Sequence, residues 1–198
     1  MDTIARHGIR LVGALTLMAA MISGGAGAAQ AQGTQSAAGT GGTVHATAAT
    51  SDSGRYIYAR IHGKDRCIEN HGYTKAKGAA IDAWDCVSHH KNEQWTAIGP
   101  FTDHGYISFL IRNDYSHQCL NVAGASKKQG AWVVQWPCSR SYENEVWHVA
   151  SAGDKPQLLK NNHSGLCLNI SGSSTANGAH LVQWACSVRY ANEMFYSS

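Results

Sequence analysis

The chain has 198 residues, 43% of them hydrophobic and 15% charged, with a formal net charge of +3. The basic residues are scattered rather than clustered, which argues against a nucleic-acid footprint. The net charge falls to +2 when residues 1–31 are set aside.

Residues 1–10 carry Arg6 and Arg10, and an apolar run of 12 residues follows from Leu11 to Ile22. Small residues come next, with Ala-Gly-Ala at 26–28 and Ala-Gln-Ala ending at Ala31. A basic start, a short apolar stretch and an Ala-x-Ala site predict a signal peptide over 1–31 and a secreted, extracellular product. The run is too short to span a bilayer comfortably, and no later segment is apolar enough, so no membrane insertion is expected. Residues 32–54 are mostly Gly, Ala, Ser and Thr, with no aromatic residue and Asp52 as the one charge. Such a stretch cannot bury enough surface to fold and predicts a flexible linker. The 144 residues from 55 to 198 suffice for one ordinary domain with its own core.

Inside that region one pattern occurs three times. Residues 67–95 read CIENHGYTKAKGAAIDAWDCVSHHKNEQW. Residues 119–147 read CLNVAGASKKQGAWVVQWPCSRSYENEVW, and 167–195 read CLNISGSSTANGAHLVQWACSVRYANEMF. The copies align without a gap, and eight of the 29 positions are identical in all three. A repeat this regular must be read before any single residue. It divides the domain into units of about 55–100, 101–150 and 151–198.

All six cysteines lie in these copies, spaced 19 apart in each: Cys67 and Cys86, Cys119 and Cys138, Cys167 and Cys186. An even count in an exported chain predicts disulfides. Among the pairings open to six cysteines, the one that respects the repeat is a bridge inside each unit. Each would close a loop of about 20 residues, worth roughly 3 kcal/mol on the chain-entropy account. A redox or zinc role is weaker, since no Cys-x-x-Cys occurs and the thiols are far apart.

The elements read as β. Candidate strands are YIYARI (56–61), YISFLIR (106–112), AWVVQW (131–136), QLLK (157–160) and AHLVQW (179–184). Gly-containing loops separate them: GYTKAKG (72–78), GASKKQG (124–130) and GSSTANG (172–178). Their terminal glycines suit tight turns that need φ > 0. No long amphipathic helix is predicted. With four short strands per unit the domain holds about twelve, and no unit of this size buries its apolar face alone, so three pack about a shared axis.

The Cys-Leu-Asn openings, the Gly-rich loop, the Trp-x-Cys and the closing Asn-Glu-x-Trp element resemble ricin B-type lectin domains over 55–198. The resemblance implies an all-β fold, a β-trefoil of three repeats with pseudo-threefold symmetry. It implies a non-enzymatic carbohydrate-binding protein that takes a glycan or polysaccharide, galactose-type sugars and xylan among them, in shallow sites on up to three lobes. No cofactor and no metal are implied.

The closing Gln-x-Trp of the family is here Glu93-Gln94-Trp95, Glu145-Val146-Trp147 and Glu193-Met194-Phe195. The terminal rings are expected in the core. Family site positions carry over as Glu69, Asp82, Trp84 and Asn92 in the first lobe. The second offers Asn121, Trp136 and Asn144, and the third Asn169, Trp184 and Asn192. A sugar presents hydroxyls and a patch of C–H groups, so it needs a flat apolar ring beside a few placed donors and acceptors. Two departures stand out. The usual Asp after the first Cys is Glu69, Asn121 and Asn169. Asn loses the charge-assisted bond, an expected loss on the order of 1 kcal/mol at each of the second and third sites. The usual Gln two places before the Trp is Asp82, Val134 and Val182, while Gln135 and Gln183 lie one place later, on the opposite face of a strand. Several weak sites on one body are expected to act by avidity on a polymer.

Nine of the 11 histidines fall in the domain without a ligand-like spacing, and no nucleophile motif occurs. Two other functions remain open at this stage. One is a protein-binding or inhibitory trefoil whose sugar residues have decayed. The other is a glycan-cleaving enzyme using Glu69 and Asp82 as a carboxylate pair. The sequence does not define an oligomeric state.

Overall fold

The computed structural model describes residues 54–151 and 156–198. The expected signal peptide and all of the expected linker before Gly54 lie outside the described residues. Gly54 is anchored to the domain: its N–H donates to Asp114 Oδ2 at 3.0 Å.

Among the described residues twelve strands follow in order. Lobe one holds β1 (Arg55–Ile61), β2 (Lys64–Asn70), β3 (Ile81–Asp85) and β4 (Gln94–Asp103). Lobe two holds β5 (Tyr106–Asn113), β6 (Cys119–Val122), β7 (Val133–Trp136) and β8 (Trp147–Val149). Lobe three holds β9 (Leu159–Asn161), β10 (Cys167–Ile170), β11 (Ala179–Trp184) and β12 (Phe195–Ser197). The predicted strand 131–136 is shorter than expected: Trp132 precedes β7 and instead forms a single bridge to Val182.

Antiparallel pairing runs β12–β1–β4–β5–β8–β9, and a bridge between Gln157 and Phe195 closes the ring. That closed ring is a barrel, which removes the unpaired edges of an open sheet. Three hairpins, β2–β3, β6–β7 and β10–β11, cap it. With three equivalent hairpins over one barrel, the architecture is the expected β-trefoil.

The core gathers at the pseudo-threefold axis. Trp95, Trp147 and Phe195 are buried there with Ile68, Leu120 and Leu168, one pair from each lobe. The indole N–H of Trp95 donates to the Ile68 carbonyl, and that of Trp147 to Leu120. Each buried ring therefore keeps its one polar group satisfied. The cysteines pair within repeats as expected: 67 with 86, 119 with 138 and 167 with 186.

The hairpins are also joined to one another in a cycle. Ala80 bridges Val134, Trp132 bridges Val182, and His180 pairs with Asp82. These are the same repeat position meeting the same partner position, each time in the next lobe. Gly78, Gly130 and Gly178 donate to the carbonyls of Gln135, Gln183 and Ala83 in the same rotation. Each of these glycines has φ near +80°, a backbone state that L side chains rarely adopt. A loop of one lobe thus forms one wall of the next lobe's surface.

Candidate functional site

In each capping hairpin the residue two after the first Cys faces the residue two before the Trp. The pairs are Glu69 with Asp82, Asn121 with Val134, and Asn169 with Val182. A tight turn follows, with consecutive left-handed residues Gly72-Tyr73, Gly124-Ala125 and Gly172-Ser173. In lobes two and three the turn, the hairpin face and the short 3-10 segment before the closing aromatic frame a surface cleft.

In lobe two that cleft has a volume of about 390 Å³ and brings together all three predicted residues, Asn121, Trp136 and Asn144. In lobe three it has about 430 Å³ and brings together Asn169, Trp184 and Asn192. Both sizes suit a small ligand. Val134 and Val182 line these clefts, while Gln135 and Gln183 are fully buried on the other face. There the two glutamines clamp the preceding lobe's loop: Gln135 Nε2 donates to the carbonyls of Thr74 and Ala76, and Gln183 Nε2 to those of Ser126 and Lys128.

The Asn departures have a structural counterpart. Asn121 Nδ2 donates to Glu145 Oε1 at 3.0 Å, and Asn169 Nδ2 to Glu193 Oε1 at 2.8 Å. In these lobes the family's usual Asp and the Gln of its closing motif are both replaced, by Asn and Glu, and the two replacements meet as an amide hydrogen-bonded to a carboxylate. The other carboxylate oxygen accepts from the backbone N–H just after the second Cys, at Ser139 and Ser187. Asn144 completes the lobe-two network by donating to Asn121 Oδ1 and the Val122 carbonyl. Asn192 donates to the Ile170 carbonyl in the same way. A fully buried carboxylate therefore stands behind the cleft Asn in both lobes, and Glu193 itself lines the lobe-three cleft. Burial pushes the Glu145 carboxyl up to about 7. It raises Glu193 as well, against the stabilising bonds from Asn169 and Ser187.

Lobe one is built differently. Glu69 and Glu93 are both acids, so no amide mediates between them. Glu69 is pushed up to about 7, by burial first and by the Glu93 charge second. Asn92 Nδ2 donates to Glu69 Oε2 at 2.9 Å. Asp82 is 0% exposed, and both its oxygens are occupied: His71 Nδ1 lies 2.5 Å from one and His180 Nδ1 2.7 Å from the other. His71 and Tyr73 stand where lobe two has Ala123 and Ala125 and lobe three has Ser171 and Ser173. Tyr73 packs edge-on to His90 and Tyr115. The two imidazoles thus cover Asp82, and Trp84 on the same hairpin is half-buried.

Several cleft residues escaped the sequence reading. Tyr142 and Tyr190 line the two open clefts and are exposed. Their signal was present, because the residue three before each recurring Glu is aromatic: His90, Tyr142 and Tyr190. Trp132 in the lobe-three cleft and Lys77 over Trp136, with Nζ 4.2 Å from the ring centroid, come from neighbouring repeats and had no such signal. A further cavity of about 210 Å³ opens at the barrel mouth near Trp95, Phe109 and Phe195, away from all ten predicted residues. Among the described residues no group of three or more His, Cys, Asp or Glu is placed to hold a metal ion.

Comparison with known proteins follows the same line. A family model described as ricin-type beta-trefoil lectin domain-like matches residues 91–184. No curated protein matches the sequence significantly. Among solved structures, the designed three-fold symmetric protein ThreeFoil is similar with a TM-score of 0.64 and 25% identity, covering 72% of this chain and 96% of that one. The exo-beta-1,3-galactanase 1,3Gal43A of Clostridium thermocellum is similar with a TM-score of 0.64 and 22% identity, over 74% of this chain but 30% of that longer one. The C-half of the earthworm R-type lectin, solved in complex with GalNAc, is similar with a TM-score of 0.52 and 17% identity, over 73% of this chain and 98% of that one. The ricin-type resemblance read from the repeats is borne out by the family match and the trefoil fold.

Proposed function

We propose that this ricin-type β-trefoil is a secreted, non-catalytic carbohydrate-binding domain that takes a glycan in the clefts of lobes two and three. The observation that carries the reading is the recurrence of one constellation, Asn, Trp, Tyr and Asn, around an open cleft in two lobes. An indole beside a tyrosine supplies a flat surface for the C–H patch of a pyranose, and the amides supply placed hydrogen bonds to its hydroxyls. Trp184 is 44% exposed, which is unusual for so large an apolar ring and suits a ligand platform.

Galactose-type sugars are the first ligands to test. The similar earthworm lectin was solved with GalNAc, and the similar clostridial enzyme is a galactanase. Lobe one, with its aspartate sealed under two imidazoles, is assigned no sugar. The same burial argues against catalysis, because a glycosidase carboxylate pair must reach the scissile bond. Three disulfides favour an oxidising compartment, in keeping with the expected signal peptide.

The test is a glycan array and a polysaccharide pull-down with residues 32–198, beside the Trp136→Ala/Trp184→Ala double variant. Binding by the wild type and its loss in the double variant support the reading. Folded wild-type protein that retains no glycan on either assay overturns it.

A further inference from the structure

The three lobes share a backbone but receive different residues from the neighbouring lobe. At the position that crosses between hairpins, lobe two receives Ala80, lobe three receives Trp132 and lobe one receives His180. Trp132 is 50% exposed and lines the lobe-three cleft together with Trp184. It sits opposite Val182 in an antiparallel bridge, so Trp184 is its diagonal neighbour on the same face of the sheet. Diagonal neighbours of this kind are about 7–8 Å apart at the backbone, close enough for large side chains to serve one ligand. Between them lies Val182, which also lines the cleft.

Trp132 is held from behind. Its ring lies against His180 with centroids 4.3 Å apart and planes tilted by 34°. His180 is fixed in turn by Asp82, whose Oδ1 lies 2.7 Å from Nδ1. One face of the indole therefore rests on a positioned imidazole, away from Trp184, while the ring still borders the cleft. A ring supported in this way loses little side-chain freedom when a ligand stacks on it.

We propose that the lobe-three cleft reads two adjoining sugar units of a glycan chain, one over Trp184 and the next over Trp132, and that Trp132 is the residue that sets this preference for length. The proposal rests on the glycan-binding reading above. Lobe two, which has Ala80 at the equivalent place, accepts a single unit. Stacking of one further pyranose on an indole is worth roughly a five- to tenfold gain in affinity.

The experiment uses residues 32–198 and Trp132→Ala, titrated with galactose and β-1,3-linked galactotriose, and with xylose and xylotriose. Indole N–H resonances of Trp132 and Trp184 are followed by NMR, assigned with the Trp132→Phe and Trp184→Phe variants. The expected result is that the wild type binds the trisaccharide roughly five- to tenfold tighter than the monosaccharide. The Trp184 resonance then responds to both ligands and that of Trp132 to the trisaccharide alone. Trp132→Ala keeps monosaccharide affinity and loses the gain for the trisaccharide. An unchanged gain in Trp132→Ala, or an equal loss for both ligands, overturns the proposal while leaving the lectin reading intact. A folded wild type that binds none of the four sugars overturns both.

Discussion

Lobes one and three are built on the same backbone and differ in what fills it. Both carry a Cys–Cys bridge, a Gly turn with φ above +60°, a Trp two before the second Cys and an Asn-Glu before the closing aromatic. Lobe three puts Ser171 and Ser173 on its turn and keeps an exposed Trp184 and Tyr190 around an open cleft. Lobe one puts His71 and Tyr73 there and seals Asp82 between two histidines. A repeated scaffold therefore does not repeat the site. The scaffold residues are answerable to the core, whereas the cleft residues are answerable to whatever enters, and each lobe is free to differ.

The largest expected effect concerns the exchange of acid and amide at the base of the open clefts. Glu145→Gln sets two amides against each other under Ser139 and leaves a buried group unpaired, at a cost of about 3 kcal/mol in unfolding free energy. Asn121→Asp alone places two carboxylates together, as in lobe one, and also destabilises. The combined Asn121→Asp/Glu145→Gln variant restores a matched pair, and most of the loss should return. Urea unfolding of the four proteins in a double-mutant cycle measures this coupling. Independent, additive losses would mean that the pair is not one unit.

Next in size is the contrast between platforms. Trp184→Ala is expected to remove about 2 kcal/mol of glycan affinity from lobe three, the loss of a central aromatic anchor. Trp84→Ala should leave glycan affinity unchanged while lowering stability. Calorimetric titration with a bound trisaccharide reads the first, and thermal melting the second. Loss of glycan binding on Trp84→Ala would make lobe one a working site after all.

The buried glutamates predict a pH dependence. Glu69 and Glu145 titrate near 7 in the folded protein, and Glu93 and Glu193 are also raised, in each case chiefly by burial. From pH 4.5 to 7 the folded state therefore holds more protons than the unfolded chain. Stability falls as pH rises through that window. The chain should unfold at a higher urea concentration at pH 5 than at pH 8. Glu145→Gln/Asn121→Asp should flatten part of the slope, and a midpoint that rises toward pH 8 would contradict the assignment.

The smallest effect distinguishes lobe two from lobe three. Lys77 Nζ sits 4.2 Å from the Trp136 centroid, whereas the residue at the same place before Trp184 is Gln129. A cation over such a half-buried ring contributes about 0.5–1 kcal/mol and competes with a sugar stacked on the same face. Lys77→Ala should therefore raise lobe-two affinity for a neutral glycan about two- to fivefold. Titration in a Trp184→Ala background isolates that lobe.

Much of the fold was legible in the repeats. Constant cysteine spacing implied bridges within units, and these are the pairs that form. Three closing aromatics implied a symmetric core, and Trp95, Trp147 and Phe195 meet there. The Asn, Trp and Asn positions of lobes two and three were found by alignment and do converge on clefts. What escaped was the chemistry between repeats. The Asn substitutions read as a simple loss of charge, because the partner Glu lies 24 residues away. In the fold Glu145 anchors the backbone at Ser139 and also accepts from Asn121.

Sequence by itself determined three β-rich units, each closed by its own bridge, because the turn glycines and the paired cysteines act over a few residues or a single loop; the β-trefoil was what the family resemblance implied. Tertiary structure alone decided which clefts stay open and what each contains. Ala80, Trp132 and His180 occupy one repeat position, yet each serves the surface of a different lobe. The reason is the cyclic packing of the hairpins, which sets each strand beside the next lobe's partner strand. A pattern confined to one repeat carries no record of the neighbour it will face.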